Sequence, residues 1–214
     1  MPDNVKTQRR YTSSIRQEQA KETRLRILDA ARRLFLARGH AATTVEAIAK
    51  EASVAVQTVY AGFGTKRGIL IALLELSIGG DDQPIEVLER PDPLRMRDEL
   101  DQRRQLEMMA EGIRKIMERA GPVFTVVRAA VADPEIATRY ERLQEDRLRN
   151  MTRVVGWVAA RGPLREGLST AEAADIMWML TSADVHRLLT IDRGWTMEQY
   201  ERWLGDTMIA SLLP

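Results

Sequence analysis

Side chains able to do acid–base or nucleophilic chemistry are plentiful here, but they do not converge. The 214 residues hold 31 Asp+Glu, two His and no Cys. His40 sits beside a helix stop and His186 stands alone in an apolar stretch. Neither has a partner at Glu-x-x-His or His-Glu-x-x-His spacing. No Walker loop and no Gly-x-Ser-x-Gly elbow is present. Zero Cys removes disulfides, thiolate zinc sites, iron–sulfur clusters and thiol nucleophiles. The expectation is no catalytic residue, no metal and no cofactor. Amide and hydroxyl side chains offer hydrogen-bond recognition instead, and Gln57 and Thr58 in VQTVYAG are one such pair. Gln57 can pair with adenine N6 and N7, and Thr58 can meet a base edge, a thymine methyl or a phosphate.

Those two residues need a scaffold, and the charge distribution suggests where it lies. Lys+Arg 32 against Asp+Glu 31 gives a net charge of +1. Residues 1–78 carry 13 Lys/Arg and 7 Asp/Glu, whereas residues 79–214 carry 19 and 24. A basic front and an acidic back imply two parts with different partners. Hydrophobic content of 44% with 29% charged residues is ordinary for a globular chain. No apolar run approaches a membrane span, and the first residues lack a signal-peptide stretch. The expected location is the cytoplasm, with no membrane partner.

Helical periodicity organises the rest. Residues 1–13 read as a flexible basic arm with Lys6, Arg9 and Arg10. Ser14 with Gln17 predicts a capping box, and Leu25, Leu28, Ala31, Leu34 and Phe35 mark the first apolar stripe, stopped at Gly39. Thr43 with Glu46 predicts a second cap, over VEAIAKEA. Ser53-Val54 follow as a tight turn, then a helix from Val56 to about Gly62. Thr65 caps KRGILIALLELS, and Gly79-Gly80 mark the domain boundary. Residues 81–96 read as a loop with a short turn of helix, and 97–119 as a helix ended by Gly121-Pro122, which also start the next helix. Its run VFTVV could be a strand by β-propensity but reads as helix because it continues into RAAVA. Asp133-Pro134 open a long helix to about Ala160. Ser169 or Thr170 caps a helix to about Ile191, and Thr196 caps the last, to about Leu212. No hairpin or repeat signal appears. The fold class is all-α, about nine helices, divided into 1–13, 14–80 and 81–214.

Residues 44–63 thus form short helix, turn, short helix, the arrangement that places its second helix in the major groove. The stretch TRLRILDAARRLFLARGHAATTVEAIAKEASVAVQTVYAGFGTKRGILIALLE resembles the N-terminal domain of the TetR family of transcriptional regulators. ILDAARRLF followed by RG, TTVEAIA, VQTVY, and F-x-x-K before an apolar helix carry the resemblance. GPLREGLSTAEAADIMW and RGWTMEQYERWL resemble regulatory halves of actinobacterial-type members.

The resemblance implies roles at particular positions. Thr43 and Thr44 open the first short helix, where Thr44 would meet a phosphate and also serve as a cap. Val56 would pack on a thymine methyl, and Gln57 and Thr58 would read base edges. Tyr60 would meet phosphate through its hydroxyl, although its ring could equally be core. Lys66 would clamp phosphate, or else be an ordinary surface lysine. Three departures reduce the expected contacts. Ser53 stands where the turn usually has Gly, Ala55 where Ser or Thr commonly caps, and Ala61-Gly62 where a bulkier pair is usual. Arg24, Lys21 and the arm are expected to contribute more.

The resemblance further implies a homodimer on a palindromic double-stranded operator, and a C-terminal domain binding a small-molecule effector. Ten Met and four Trp suit an adaptable apolar cavity. Met108, Met117, Phe124, Arg147, Met151, Trp157 and Trp178 are the effector candidates, although such a stripe can also be plain core. Arg147 and Asn150 interrupt an apolar stripe, and Asp184 and Arg187 are spaced to pair. Helix 170–191 is apolar around much of its circumference, so it needs cover on two sides. Ile176, Leu180, Leu188, Tyr200, Trp203, Leu204 and Met208 are the expected dimer residues. The sum is a ligand-responsive DNA-binding regulator, read as a repressor released by a small apolar or amphipathic effector. A helical enzyme or a helical adaptor are the rival readings.

Overall fold

A computed structural model describes residues 3–214, with side chains from Gln17 onward. Among the described residues every regular element is helical. The helices are α1 (Asp3–Ala42), α2 (Val45–Glu51), α3 (Val56–Phe63), α4 (Lys66–Gly79) and α5 (Pro91–Asp98). Then come α6 (Gln102–Ala130), α7 (Pro134–Ala159), α8 (Thr170–Leu180), α9 (Ala183–Arg187) and α10 (Met197–Leu212). The chain forms two compact units, Met1–Leu73 and Leu74–Pro214. The division falls inside α4, several residues before the Gly79-Gly80 break. The last turns of α4 go with the second unit because Arg119 of α6 donates to the carbonyls of Ser77 and Ile78 at 3.2 and 3.3 Å.

In the first unit the helix stripe folds as expected: Leu28, Ala31, Leu34 and Phe35 are buried, and Ile48, Val59, Ile69 and Leu70 close the core over them. Gly39 takes φ 77°, so α1 kinks where the stop was expected. The start differs. α1 begins at Asp3, and its backbone runs straight through Ser14, so the predicted Ser14 cap does not open a helix. No Gly or Pro separates Asp3 from Arg38, and Lys, Arg, Gln and Glu favour helix. The arm expected over residues 1–13 is therefore helical backbone from Asp3. The side chains of Lys6, Arg9 and Arg10 lie outside the described residues.

In the second unit the stripe of Leu106, Met109, Ala110, Ile113 and Met117 is buried along α6. The loop expected over 81–96 contains a 3-10 turn at Val87–Glu89 and α5. Gly121-Pro122 do not end a helix, and α6 continues through them to Ala130. Proline removes one backbone bond there, yet apolar packing of Val123, Val126 and Val127 keeps the helix going. Gly121 has its own reason: a Cβ there would lie 3.0 Å from the His186 ring. The helix expected over 170–191 is also broken. α8 ends at Leu180, and Ser182 caps α9 by accepting from Val185 N at 3.2 Å. A π-turn covers Leu188–Asp192. The capping boxes at Ser169–Glu172 and Thr196–Gln199 form as expected, and Asp133 caps α7. α8 packs on α7, and α10 packs on α6, where Gly205 allows close approach to Ala110.

Candidate nucleic-acid interface and regulatory core

The geometry of α2 and α3 follows from local chemistry. Thr44, not Thr43, caps α2: its hydroxyl accepts from Ala47 N at 3.1 Å. Thr44 is exposed, and its hydroxyl hydrogen remains available to an external acceptor. Thr43 is 1% exposed and donates to the Gly39 and Leu34 carbonyls at 2.8 and 3.3 Å. That corrects its reading as a DNA contact, because the hydroxyl is spent inside the protein. Arg33 ties α1 to α2 by donating to Glu51 at 3.1 Å while also pairing with Asp29. Ser53 closes the turn at φ 54°, the left-handed region that glycine occupies more easily. Ala55 flanks α3 without a side-chain cap.

α3 then buries one residue and presents the others. Val59 is 1% exposed, whereas Gln57 and Thr58 are exposed and Val56 is half-buried. Tyr60 is 47% exposed, so it is not a core aromatic. Phe63 closes the helix under the Arg24 guanidinium, 4.7 Å from its ring centroid. Arg24 is thus engaged with α3 as well as lying near the surface. The exposed face of α3 carries no charged side chain, which suits hydrogen-bond reading of bases more than simple attraction to phosphate.

Lys66 requires a correction. Its Nζ donates to the carbonyls of His40 (2.7 Å), Thr43 (2.8 Å) and Ala41 (3.4 Å). An ammonium has three donors, and all three are used. Lys66 therefore closes the end of α1 on the start of α4 and has nothing left for phosphate. Thr65 caps α4 as expected, accepting from Gly68 N at 3.0 Å. Gly68 has a packing cause that sequence alone does not reveal: a Cβ there would fall 2.2 Å from the Phe63 carbonyl oxygen.

In the second unit, Met117 and Met151 lie inside the apolar core, and Met108, Phe124, Trp157 and Trp178 pack at its margin. All six apolar effector candidates thus belong to one cluster. Arg147 of α7 is half-buried and lies over the Trp178 ring at 4.6 Å. Its Nε donates to Gln144 Oε1 at 3.1 Å, and its Nη1 to Trp178 O at 2.6 Å and Thr181 Oγ1 at 3.1 Å. Burial pushes its pKa down to about 10. Trp178 Nε1 in turn donates to Gln144 O at 3.3 Å. Gln144 and Thr181 were not singled out by sequence, although an Arg within an apolar stripe signals that buried acceptors must lie near it.

The expected dimer residues divide. Leu180, Tyr200, Leu204 and Met208 are 0–5% exposed within their own chain, so they are core and not available to a second copy. The helix phase explains this, since α10 turns Tyr200, Leu204 and Met208 onto α6, and Leu180 of α8 packs in the same core. Ile176 and Trp203 are half-buried and Leu188 is 48% exposed. Met179 at 48% and Ile191 at 71% are large exposed apolar residues that sequence reading missed. Asp184 and Arg187 do not pair with each other: Asp184 meets Arg128, and Arg187 meets Asp192 at 2.7 Å. Among the described residues no cluster of His, Asp or Glu could hold a metal, and no helix is long and apolar enough to cross a membrane.

Residues 27–73 match the family model described as bacterial regulatory proteins, tetR family. The family signature therefore lies in residues 27–73. Solved structures share the fold over most of the chain. A TetR-family transcriptional regulator from Mesorhizobium loti matches at TM-score 0.68 and 16% identity, covering 91% of this chain and 98% of that one. FadR from Bacillus subtilis, solved with stearoyl-CoA, matches at TM-score 0.71 and 18% identity over 87% and 98%. A regulator from Saccharomonospora viridis, solved with choline, matches at 0.68 and 19% over 90% and 98%. No curated relative matches. The matched segment contains all of α2 and α3 and ends within α4, so the family signal falls within the first compact unit.

Proposed function

We propose that this chain is a TetR-family, ligand-responsive transcriptional regulator acting as a repressor. It binds a palindromic operator as a homodimer and leaves it when a small amphipathic effector occupies the second unit. One observation carries the DNA-reading part. α3 fully buries Val59, partly buries Val56 and Phe63, and turns Gln57, Thr58 and Tyr60 outward. Gln57 and Thr58 read base edges, Val56 meets a thymine methyl, and Tyr60 and Thr44 donate to phosphate. Thirteen Lys/Arg against seven Asp/Glu in residues 1–78 supply the attraction to DNA. A two-fold dimer sets two such helices about 34–36 Å apart along the duplex. Dimerisation uses the apolar surface of Met179, Leu188 and Ile191 with Ile176 and Trp203. The effector must favour the conformation that cannot bind DNA.

Footprinting on the DNA upstream of the gene tests this reading. The expected result is a protected palindrome whose affinity falls steeply with salt. Gln57→Ala should change base preference at one symmetric pair of positions, by about 1–3 kcal/mol. Binding that ignores sequence at every salt concentration refutes the reading.

A further inference from the structure

Two polar groups in the second unit are incompletely used, and both bear on the junction of α8 with α9. The first is Arg147. Its Nε and Nη1 are occupied by Gln144, Trp178 and Thr181, but Nη2 donates to no described residue. No carboxylate among the described residues lies within ion-pair distance of it. The second is Tyr200 of α10, which is fully buried, with a hydroxyl that finds no partner among the described residues. Its ring is held edge-on by His186 of α9 at 5.1 Å and lies 6.4 Å from Trp203. Thr181, which Arg147 grips, directly precedes the Ser182 cap of α9, and His186, which meets Tyr200, lies near the end of the same short helix, so the two groups bracket α9. Burial raises the pKa of the Tyr200 hydroxyl, and the nearby Arg147 charge works against that rise. Buried donors are normally bonded, and a half-buried guanidinium without a carboxylate is rarer still.

We propose that Arg147 Nη2, with the Tyr200 hydroxyl, receives the carboxylate of an amphipathic monocarboxylate whose apolar part lies along Met151 and Trp178. This rests on reading the second unit as the effector domain and names the effector's chemical class. One fixed cation and one neutral donor match a single negative charge. A cationic ligand would be repelled, and a neutral alcohol would leave the guanidinium without a counter-charge. The guanidinium is already oriented by three hydrogen bonds and by the Trp178 ring, so little ordering remains to oppose binding.

The test is calorimetric titration of the full chain, without DNA, using decanoate and 1-decanol as matched probes. Trp178 fluorescence is a second readout, since its ring lies under the guanidinium. Decanoate is expected to bind at least about tenfold tighter than decanol. Arg147→Met should remove that difference while leaving decanol affinity unchanged, and Arg147→Lys should retain part of it. Tyr200→Phe should weaken decanoate a few-fold and not decanol, a selectivity that a merely structural hydroxyl would not produce. Equal affinity for the two probes overturns the proposal, as does a difference that survives Arg147→Met, or no binding of either probe. Arg147→Lys keeps the charge, so it decides the question if the Met variant fails to fold. Operator binding is measured separately and without probe, so its failure would count against the regulator reading and not against this site.

Discussion

Lys66→Met separates two roles that the same residue could have, clamp on protein or clamp on DNA. In the structure its ammonium makes two short bonds, at 2.7 and 2.8 Å, and one longer bond, to carbonyls at and just after the end of α1. A hydrogen bond from a charged donor contributes about 1.5–3 kcal/mol. The three share one ammonium, and water can reach part of the site, so the total is about 2–3 kcal/mol and not their sum. Methionine keeps the apolar stem and removes only the donors. For a unit of this size, 1 kcal/mol corresponds to roughly 4–8 °C, so the first unit should melt about 8–24 °C lower. The assay pairs thermal unfolding with operator affinity across a salt series. A lost phosphate contact would lower the slope of log K against log salt by about 0.9 per contact. The carbonyl clamp predicts a large fall in melting temperature and an unchanged slope for the folded fraction. A variant that melts with the wild type while its slope falls would refute the assignment.

Ser53→Gly should stabilise the first unit by roughly 0.5–1 kcal/mol, since it relieves a left-handed conformation at φ 54°, read as a shift in urea midpoint. Gly68→Ala should cost about 2 kcal/mol or more, because its Cβ would sit 2.2 Å from the Phe63 carbonyl and α4 would have to move. Burial holds His186 below its usual pKa, so the folded chain binds fewer protons than the unfolded chain below about pH 6.5. Stability should therefore fall as pH drops through that value, and His186→Gln should flatten the slope in pH-dependent urea melts. Ile191→Glu should give a folded monomer near 24.3 kDa in sedimentation, because Ile191 is 71% exposed in the single chain.

Features with local causes were legible. The caps at Thr65, Asp133, Ser169 and Thr196 each depend on one side chain and a backbone N–H two or three residues on. The apolar period placed the cores of α1 and α6 for the same reason. Features decided by distant packing were not. Gly121-Pro122 reads as a stop, yet α6 continues because its valines are needed on the core and His186 requires the missing Cβ. Thr181-Ser182 reads as ordinary helix, yet the hydroxyls divide it into α8 and α9. The stripe of Tyr200, Leu204 and Met208 was visible as apolar, but periodicity cannot distinguish cover by α6 from cover by another chain.

The two cations Lys66 and Arg147 show what kind of accounting resolves such choices. By type and position both looked ligand-facing, one toward phosphate and one toward an effector. Lys66 has three donors, and three protein carbonyls take them, so its charge is committed to joining α1 and α4. Arg147 has five donors, and three are taken by groups that also fix its orientation, which leaves two on one nitrogen. A residue with all donors spent is part of the scaffold. A residue held rigidly with donors remaining is ready to receive a partner. On that accounting the proposed DNA contacts rest on the exposed face of α3 and not on Lys66, and the proposed effector carboxylate goes to Arg147.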